Sequence, residues 1–403
     1  GHFFAVDPLH NFVMASGRTI EGSTFSTSDL TKAVQSDDFA FRPVHLTNAP
    51  DGSLLVADFY EHYVAHGQHY QSQIDPDTGR VYRLRGKNMP LERNRDLSVK
   101  STSELIGLLK HPNKWHRHMA VRLLGERKDG KGLPALRKLV ENSGDREALC
   151  ALWAHYQAFG LDDELATIAL GRKYPPLRLW AVRLACDDLG FAHKHPVAGL
   201  RDSLGGEQDP EARLSHDFFQ RILAQARIEP YAETRAQMAA SARRLPADQA
   251  LSLTQVLLTH NEDVDDPFIP LMLWWVLDAQ ADHAREELLS LFEDASFRKL
   301  PMVGSHVLPH ILRRFALQGR RQDLLACARL LRSVTDKEEA EKLLGGFEKA
   351  YEGRPMEGLP RELVKELAKV GRSSLMLRLR LGEPQALRDT LAKVAERTTP
   401  VAQ

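Results

Sequence analysis

Nowhere in this sequence do about 18 apolar residues run together, the length that a membrane-spanning helix requires, so no transmembrane segment is expected. The opening residues, Gly1-His2-Phe3-Phe4-Ala5-Val6-Asp7-Pro8, lack the basic start and apolar stretch of a secretory leader. The expectation is a cytosolic parent, or a longer polypeptide whose start lies upstream. Cysteine is scarce. Cys150, Cys186 and Cys327 lie far apart, each inside an apolar helical pattern where a thiol packs as a small core residue. No C-x-x-C or C-x-x-C-H spacing occurs, which excludes a thioredoxin-like pair and a covalent c-type haem site within this chain. An excess of one charge is missing too. With 54 Lys and Arg against 54 Asp and Glu, no bulk field draws nucleic acid or an anionic membrane surface, and nucleic acid is not an expected partner. What is present, 43% hydrophobic and 27% charged residues, is the composition of a folded chain with a sizeable core.

Two textures divide the sequence near residue 95. Before it, Gly, Pro, Asp and Thr are frequent and apolar residues alternate, as in Ser53-Leu54-Leu55-Val56-Ala57-Asp58 and Arg80-Val81-Tyr82-Arg83-Leu84. Asn48-Ala49-Pro50-Asp51-Gly52 and Asp75-Pro76-Asp77-Thr78-Gly79 place Pro-Asp and Asp-Gly where tight reversals need them, so antiparallel strands are expected. Three or four such strands leave a face and two edges uncovered, and the strand region reads as part of a larger assembly.

After residue 95 the period becomes helical. Ser103 is read as the cap of a helix carrying Leu105, Leu108 and Leu109; His111-Pro112-Asn113 breaks it, and a second helix follows with Met119, Ala120, Leu123 and Leu124. The pattern recurs around Ala120, Ala151 and Ala181, spaced 31 and 30 residues apart, a period that means stacked helical repeats. Small Ala lets neighbouring helices approach, while the surrounding Leu and Trp are expected to fill the groove between pairs. A further pair is read as beginning at Asp209-Pro210-Glu211-Ala212-Arg213, and beyond about residue 230 the repeat becomes irregular while remaining helical. Trp274-Trp275 are expected in the core, and the Arg-rich stretches near Arg313-Arg314, Arg320-Arg321 and Arg378-Arg380 on solvated outer faces.

Taken in order, Phe41-Arg42-Pro43-Val44, Pro50 through Tyr60 and Gly79 through Leu84 resemble the final propeller blade of the large proteins of planctomycetes and verrucomicrobia classed as membrane-bound dehydrogenases. His111 through Arg117, Ala148 through Trp153, and Asp266-Pro267 through Trp274-Trp275 resemble that family's helical part, so the resemblance covers about residues 36 to 280. It implies a β-propeller similar to quinone-dependent glucose and sorbosone dehydrogenases, then HEAT-like repeats, and commonly a C-terminal cytochrome c domain. The earlier blades and the haem motif are absent from this sequence. The expected fold is therefore mixed and mainly α: a partial β-propeller segment over residues 1–95, and an α-solenoid of HEAT-like helix pairs over 96–403. The resemblance further implies a periplasmic or cell-envelope location, and pyrroloquinoline quinone with calcium in an intact propeller, with haem c in a separate domain; none of these cofactors is expected within this chain.

Candidate chemistry lies between Asp58 and Arg80. His62, His66 and His69 sit with Tyr60, Tyr63 and Tyr70 in a loop between strands; a neutral imidazole there can take a hydroxyl proton as hydride leaves a carbon, or can simply pack and hydrogen-bond. His66 and His62 are the candidate catalytic residues. Arg42, Asp58 and Tyr60 are candidate cofactor-binding residues, with a charge pair between blades as the alternative for Arg42 and Asp58. Arg80 is read as structural. No metal site is expected: the pairs His116/His118 and His193/His195 are two residues apart, and on a helix such positions do not share a face. Two functions remain open. One is a piece of a quinone-dependent sugar or alcohol dehydrogenase whose helical part passes electrons to a cytochrome; the other is a non-catalytic scaffold that binds a protein partner on the solenoid face.

Overall fold

A computed structural model of the chain describes residues 2–62, 77–93, 95–187, 213–354, 356, 358–370, 375–380 and 382–395. The fold is mixed and mainly α, with two small antiparallel three-stranded sheets followed by helices packed in pairs. The chain divides into two compact units, Gly1–Ala185 and Cys186–Gln403.

In the first unit, β1 (His2–Asp7), β2 (Phe12–Glu21) and β3 (Thr24–Gln35) form one sheet in that order, and β4 (Pro43–Asn48), β5 (Leu54–Asp58) and β6 (Arg80–Leu84) form the other. Among the described residues six strands thus form where the sequence pattern predicts three or four. The first sheet is hard to read because β3, Thr-Phe-Ser-Thr-Ser-Asp-Leu-Thr-Lys-Ala-Val-Gln, is solvated along nearly all its length and carries no apolar alternation. A small shared core joins the sheets: Val13, Phe41 and Val56 are buried, with Val6, Val34, Leu46, Leu54 and Leu84 packed on them. The expected reversal between β4 and β5 is present. Gly52 sits at φ +81°, which L side chains rarely adopt, and Asp51 Oδ1 accepts from Ser53 N at 3.0 Å.

The first helix, α1 (Thr102–Gly107), is capped by Ser101 rather than Ser103: the Ser101 side chain accepts from Glu104 N while the Glu104 carboxylate accepts from Ser101 N. Ser101-x-x-Glu104 is a capping box, and it satisfies two donors where Ser103 would satisfy one. Next come α2 (Lys114–Arg127), α3 (Leu133–Asn142), α4 (Asp145–Phe159), α5 (Asp163–Leu170) and α6 (Pro175–Asp187). Ala120, Ala151 and Ala181 are fully buried in α2, α4 and α6, as their spacing requires.

The segment His111 through Arg117 ties the strands to the helices. Asn113 caps α2 by accepting from Trp115 N at 2.9 Å, and its Nδ2 donates to the carbonyls of Ala49 and Pro50, both at 2.9 Å. His116 Nε2 donates to the same Pro50 carbonyl at 3.0 Å. The β4–β5 turn is thereby held against the start of the helical array.

Arg117 belongs to a set that the sequence pattern did not reveal. Its NH1 donates to the carbonyls of His111 and Pro112 at 2.7 and 2.8 Å, six and five residues back. Arg178 does the same to Arg172 and Lys173 at 2.8 and 2.9 Å, and Arg298 to Phe292 and Glu293 at 2.6 and 3.0 Å. Arg235 reaches the Glu229 carbonyl at 2.7 Å. Each arginine is the fourth residue of its helix and is buried. A guanidinium there satisfies carbonyls left open at the end of the preceding segment, at the negative end of its dipole.

The second unit contains α7 (His216–Ile228), α8 (Ala232–Ala242), α9 (Ala247–Leu257), α10 (Ile269–His283), α11 (Arg285–Glu293), α12 (Ala295–Arg298), α13 (Leu308–Gln318), α14 (Arg321–Ser333), α15 (Lys337–Ala350), α16 (Arg361–Val370), α17 (Leu375–Arg380) and α18 (Pro384–Ala395). Asp209 through Ala212 lie outside the described residues, and Ser215 caps α7. Trp274 is buried as expected, but Trp275 is 47% exposed. Arg314 and Arg320 are not simply solvated. Arg314 donates to Asp278 at 3.1 Å and Asp282 at 2.5 Å, and Arg320 pairs with Asp282 and Asp323. The three cysteines are free and buried; burial pushes the Cys186 thiol up to about 12 and that of Cys327 further up.

Candidate functional site

Two places in the first unit gather polar and aromatic side chains. At the end of β5 the structure brings Arg42, Asp58, Tyr60 and His62 together. Asp58 is buried, and its Oδ1 accepts from the backbone N–H groups of Arg42 at 2.7 Å and Tyr60 at 3.0 Å. The Arg42 guanidinium instead donates to carbonyls: Nε to Glu61 at 2.8 Å, NH1 to Pro8 at 2.9 Å and Leu9 at 3.2 Å, and NH2 to His62 at 3.2 Å. Arg42 thus fastens the β1–β2 turn of one sheet to the segment after β5 of the other. Its contact with Asp58 runs through the backbone.

Tyr60, at φ +51°, lies under the Arg80 guanidinium, 3.6 Å from the ring centroid, and edge-on to His62 at 6.4 Å. Asp38 is held below the ordinary carboxylate range, first by the Ala40 N–H and then by the Tyr60 hydroxyl, with Arg80 and His62 adding positive charge nearby. His66 and His69, with Tyr63 and Tyr70, lie outside the described residues, as do His193 and His195. Among the described residues Asp58 Oδ2 is buried without a hydrogen-bond partner, an arrangement that costs free energy unless a donor or cation meets it. That single oxygen is far short of the six to eight oxygens that calcium takes. Among the described residues no group of three His, Cys, Asp or Glu side chains comes together to hold a metal. The described residues at this corner do not by themselves fit calcium.

Residues 1–88 match a family model described as a domain of unknown function, DUF7133. The match spans both sheets and all of this corner, and ends before the first helix. No curated protein matches the chain.

The second place is a groove across α2, α4 and α6. A hollow of about 400 Å³ is floored by Trp153 on α4 and Trp180 on α6, with Val121 and Leu184 beside them and His118, Arg122, Tyr156 and Gln157 at the rim. A second hollow of about 370 Å³ shares His118 and Arg122 and runs on past Lys114, Trp115 and Met119 to Leu46, Thr47 and Asn48 of β4. The rings form a row. His118 stands edge-on to Trp153 at 6.2 Å, Trp153 edge-on to Trp180 at 5.1 Å, and the Arg183 guanidinium caps Trp180 at 4.9 Å.

This groove departs from expectation. Trp153 and Trp180 are expected to fill the space between helix pairs, yet both remain partly exposed and line an open surface. Trp153 Nε1 is buried without an acceptor among the described residues, a cost of about 1–3 kcal/mol borne at the groove floor. His118 is exposed, while His116, two residues earlier, is buried against the β4–β5 turn, so the two imidazoles serve different sides of α2. Partial desolvation at the groove wall, with Lys114 and Arg117 nearby, lowers the His118 pKa. The groove was legible only in part: Trp153 and Trp180 stand next to the repeated alanines, but which face they take depends on how the helices stack.

Proposed function

We propose that this chain is a protein-interaction scaffold whose helical array docks a polypeptide in the groove across α2, α4 and α6. The observation that carries this reading is the row of partly exposed aromatic rings, Trp153 and Trp180 with His118, along a surface hollow of about 400 Å³. Isolated exposed apolar residues need no explanation, but a contiguous aromatic groove with a polar rim has the anatomy of a binding surface. Paired helices offer such faces repeatedly along an array. The test is a photo-crosslinking residue placed at Gln157, on the rim, or at Lys138, exposed on α3 away from the groove, in the full chain within its host. One defined polypeptide joined at Gln157 and not at Lys138 supports docking; equal labelling at both positions, or none, sinks it.

A second reading, that a longer polypeptide containing this chain oxidises a sugar or alcohol in a quinone-dependent propeller, is favoured by one feature, the buried and unpartnered Asp58 Oδ2 beside Tyr60 and His62. The two sheets would be its last blades, other blades would complete the cofactor pocket, and a cytochrome c would be the acceptor in the periplasm or cell envelope. Adding pyrroloquinoline quinone and calcium to the natural full-length protein should then give sugar-dependent reduction of an artificial acceptor that disappears in His66→Ala. A folded protein that neither binds the quinone nor turns over would eliminate this reading.

A further inference from the structure

We propose that the segment held by the groove is an extended peptide about six residues long that carries a carboxylate for Lys114 and an apolar anchor seated on Trp153 and Trp180. This rests on the docking reading above. The charge of the lining carries it. Among the described residues, the groups of fixed charge that line the two hollows are Lys114 and Arg122, both cationic, with His118 between them, and no carboxylate lines either hollow. Lys114, His118 and Arg122 follow one another at four-residue intervals on α2, so they form a single stripe along one edge of the groove. Arg122 is ion-paired with Glu126, which accepts from its Nε at 2.6 Å, whereas Lys114 has no ion-pair partner among the described residues and is the cation left for a ligand. Below this edge lies the apolar floor, Val121, Trp153, Trp180 and Leu184.

A ligand that matches both features carries negative charge along one side and at least one apolar side chain on the other. An extended chain meets that demand because its successive side chains alternate in direction. Length follows from the helices. Neighbouring packed helices lie about 8–10 Å apart, so crossing from α2 to α6 spans about 16–20 Å, or roughly six residues at about 3.3 Å each. Aromatic floors accept proline as well as aliphatic and aromatic anchors, so the anchor is defined by its apolarity.

The test is selection of random twelve-residue peptides displayed on phage against the full chain, followed by affinity measurements on synthetic copies. The variants are Trp153→Ala, Trp180→Ala, Lys114→Glu and Arg122→Gln, each checked for an unchanged far-ultraviolet spectrum. Lys114 is the first residue of α2, where a glutamate suits the helix dipole, so that variant keeps the fold. Enriched peptides that combine Asp or Glu with an apolar anchor, lose about tenfold affinity in Lys114→Glu, and weaken with added salt support the proposal. Peptides that are neutral or basic, or acidic ones indifferent to Lys114→Glu, overturn the acidic class; if they still need Trp153 or Trp180, the groove remains a docking site. Peptides that bind wild type and both tryptophan variants equally, or no enrichment at all, overturn the groove itself.

Discussion

Replacing Asn113 with alanine removes three hydrogen bonds with one side chain, and their sum can be worked from the geometry. The cap on Trp115 N is worth about 1 kcal/mol, within a range of about 0.5–2. The two bonds from Nδ2 to Ala49 and Pro50 contribute about 1 kcal/mol each. Neither carbonyl is left bare, because Gly52 N still donates to Ala49 O at 3.0 Å and His116 Nε2 to Pro50 O at 3.0 Å. The larger penalty for an unsatisfied buried acceptor is therefore not added, and the expected loss is about 2–3 kcal/mol. Asn113→Ser keeps a capping oxygen and should recover about 1 kcal/mol of it. Hydrogen exchange followed by mass spectrometry suits the question, because a chain of two compact units need not unfold in one step. Peptides covering residues 45–58 should exchange on the order of a hundredfold faster in Asn113→Ala, since about 1.4 kcal/mol is tenfold. A change of less than about threefold there, with the serine variant no different from alanine, would refute the reading of Asn113 as the tie between strands and helices.

Other consequences concern buried groups. Arg235 and Asp263 are both nearly inaccessible and joined by two bonds, at 2.6 and 2.5 Å, so Arg235→Ala strands a buried carboxylate and should destabilise the second unit by about 3–5 kcal/mol in urea titration. Arg235→Met with Asp263→Leu should recover much of that loss; a double variant as unstable as the single would count against the stranded-charge explanation. At Gly346 an added Cβ would run into the Pro309 carbonyl, which is backbone and cannot move aside cheaply, so Gly346→Ala should lower the melting temperature by several degrees. Burial lowers the pKa values of His116 and His155. The unfolded chain then binds more protons as pH falls below about 6.5, so the stability these neutral imidazoles lend the first unit is complete above that pH and lost on acidification. His116→Gln should flatten the pH dependence between about 7.5 and 5; a slope identical to wild type would exclude His116 as a contributor.

Local chemistry made much of this molecule readable in advance. The change from alternating to helical periodicity, the Pro50-Asp51-Gly52 reversal and the buried Ala120, Ala151 and Ala181 all follow from steric and apolar rules acting over a few residues, and these appear directly in the order of amino acids. The Ser101-x-x-Glu104 capping box is legible on the same local rules. Solvated β3 was not, because exposed Thr and Ser leave no apolar period to detect.

Tertiary structure alone decided the functional geometry. Arg42 was a candidate for a cofactor or a charge pair, but only the packing of two sheets brings the carbonyls of Pro8, Leu9, Glu61 and His62 around its guanidinium. The arginine braces at Arg117, Arg178, Arg235 and Arg298 recur at intervals too wide for any local window, and their partners are carbonyls, which every residue type carries alike. The groove has the same origin. Composition placed Trp153 and Trp180 in the helical array, while the stacking of α4 against α2 and α6 determined that their rings meet in a row at the surface, because the face a side chain takes depends on how whole helices pack rather than on its neighbours in sequence.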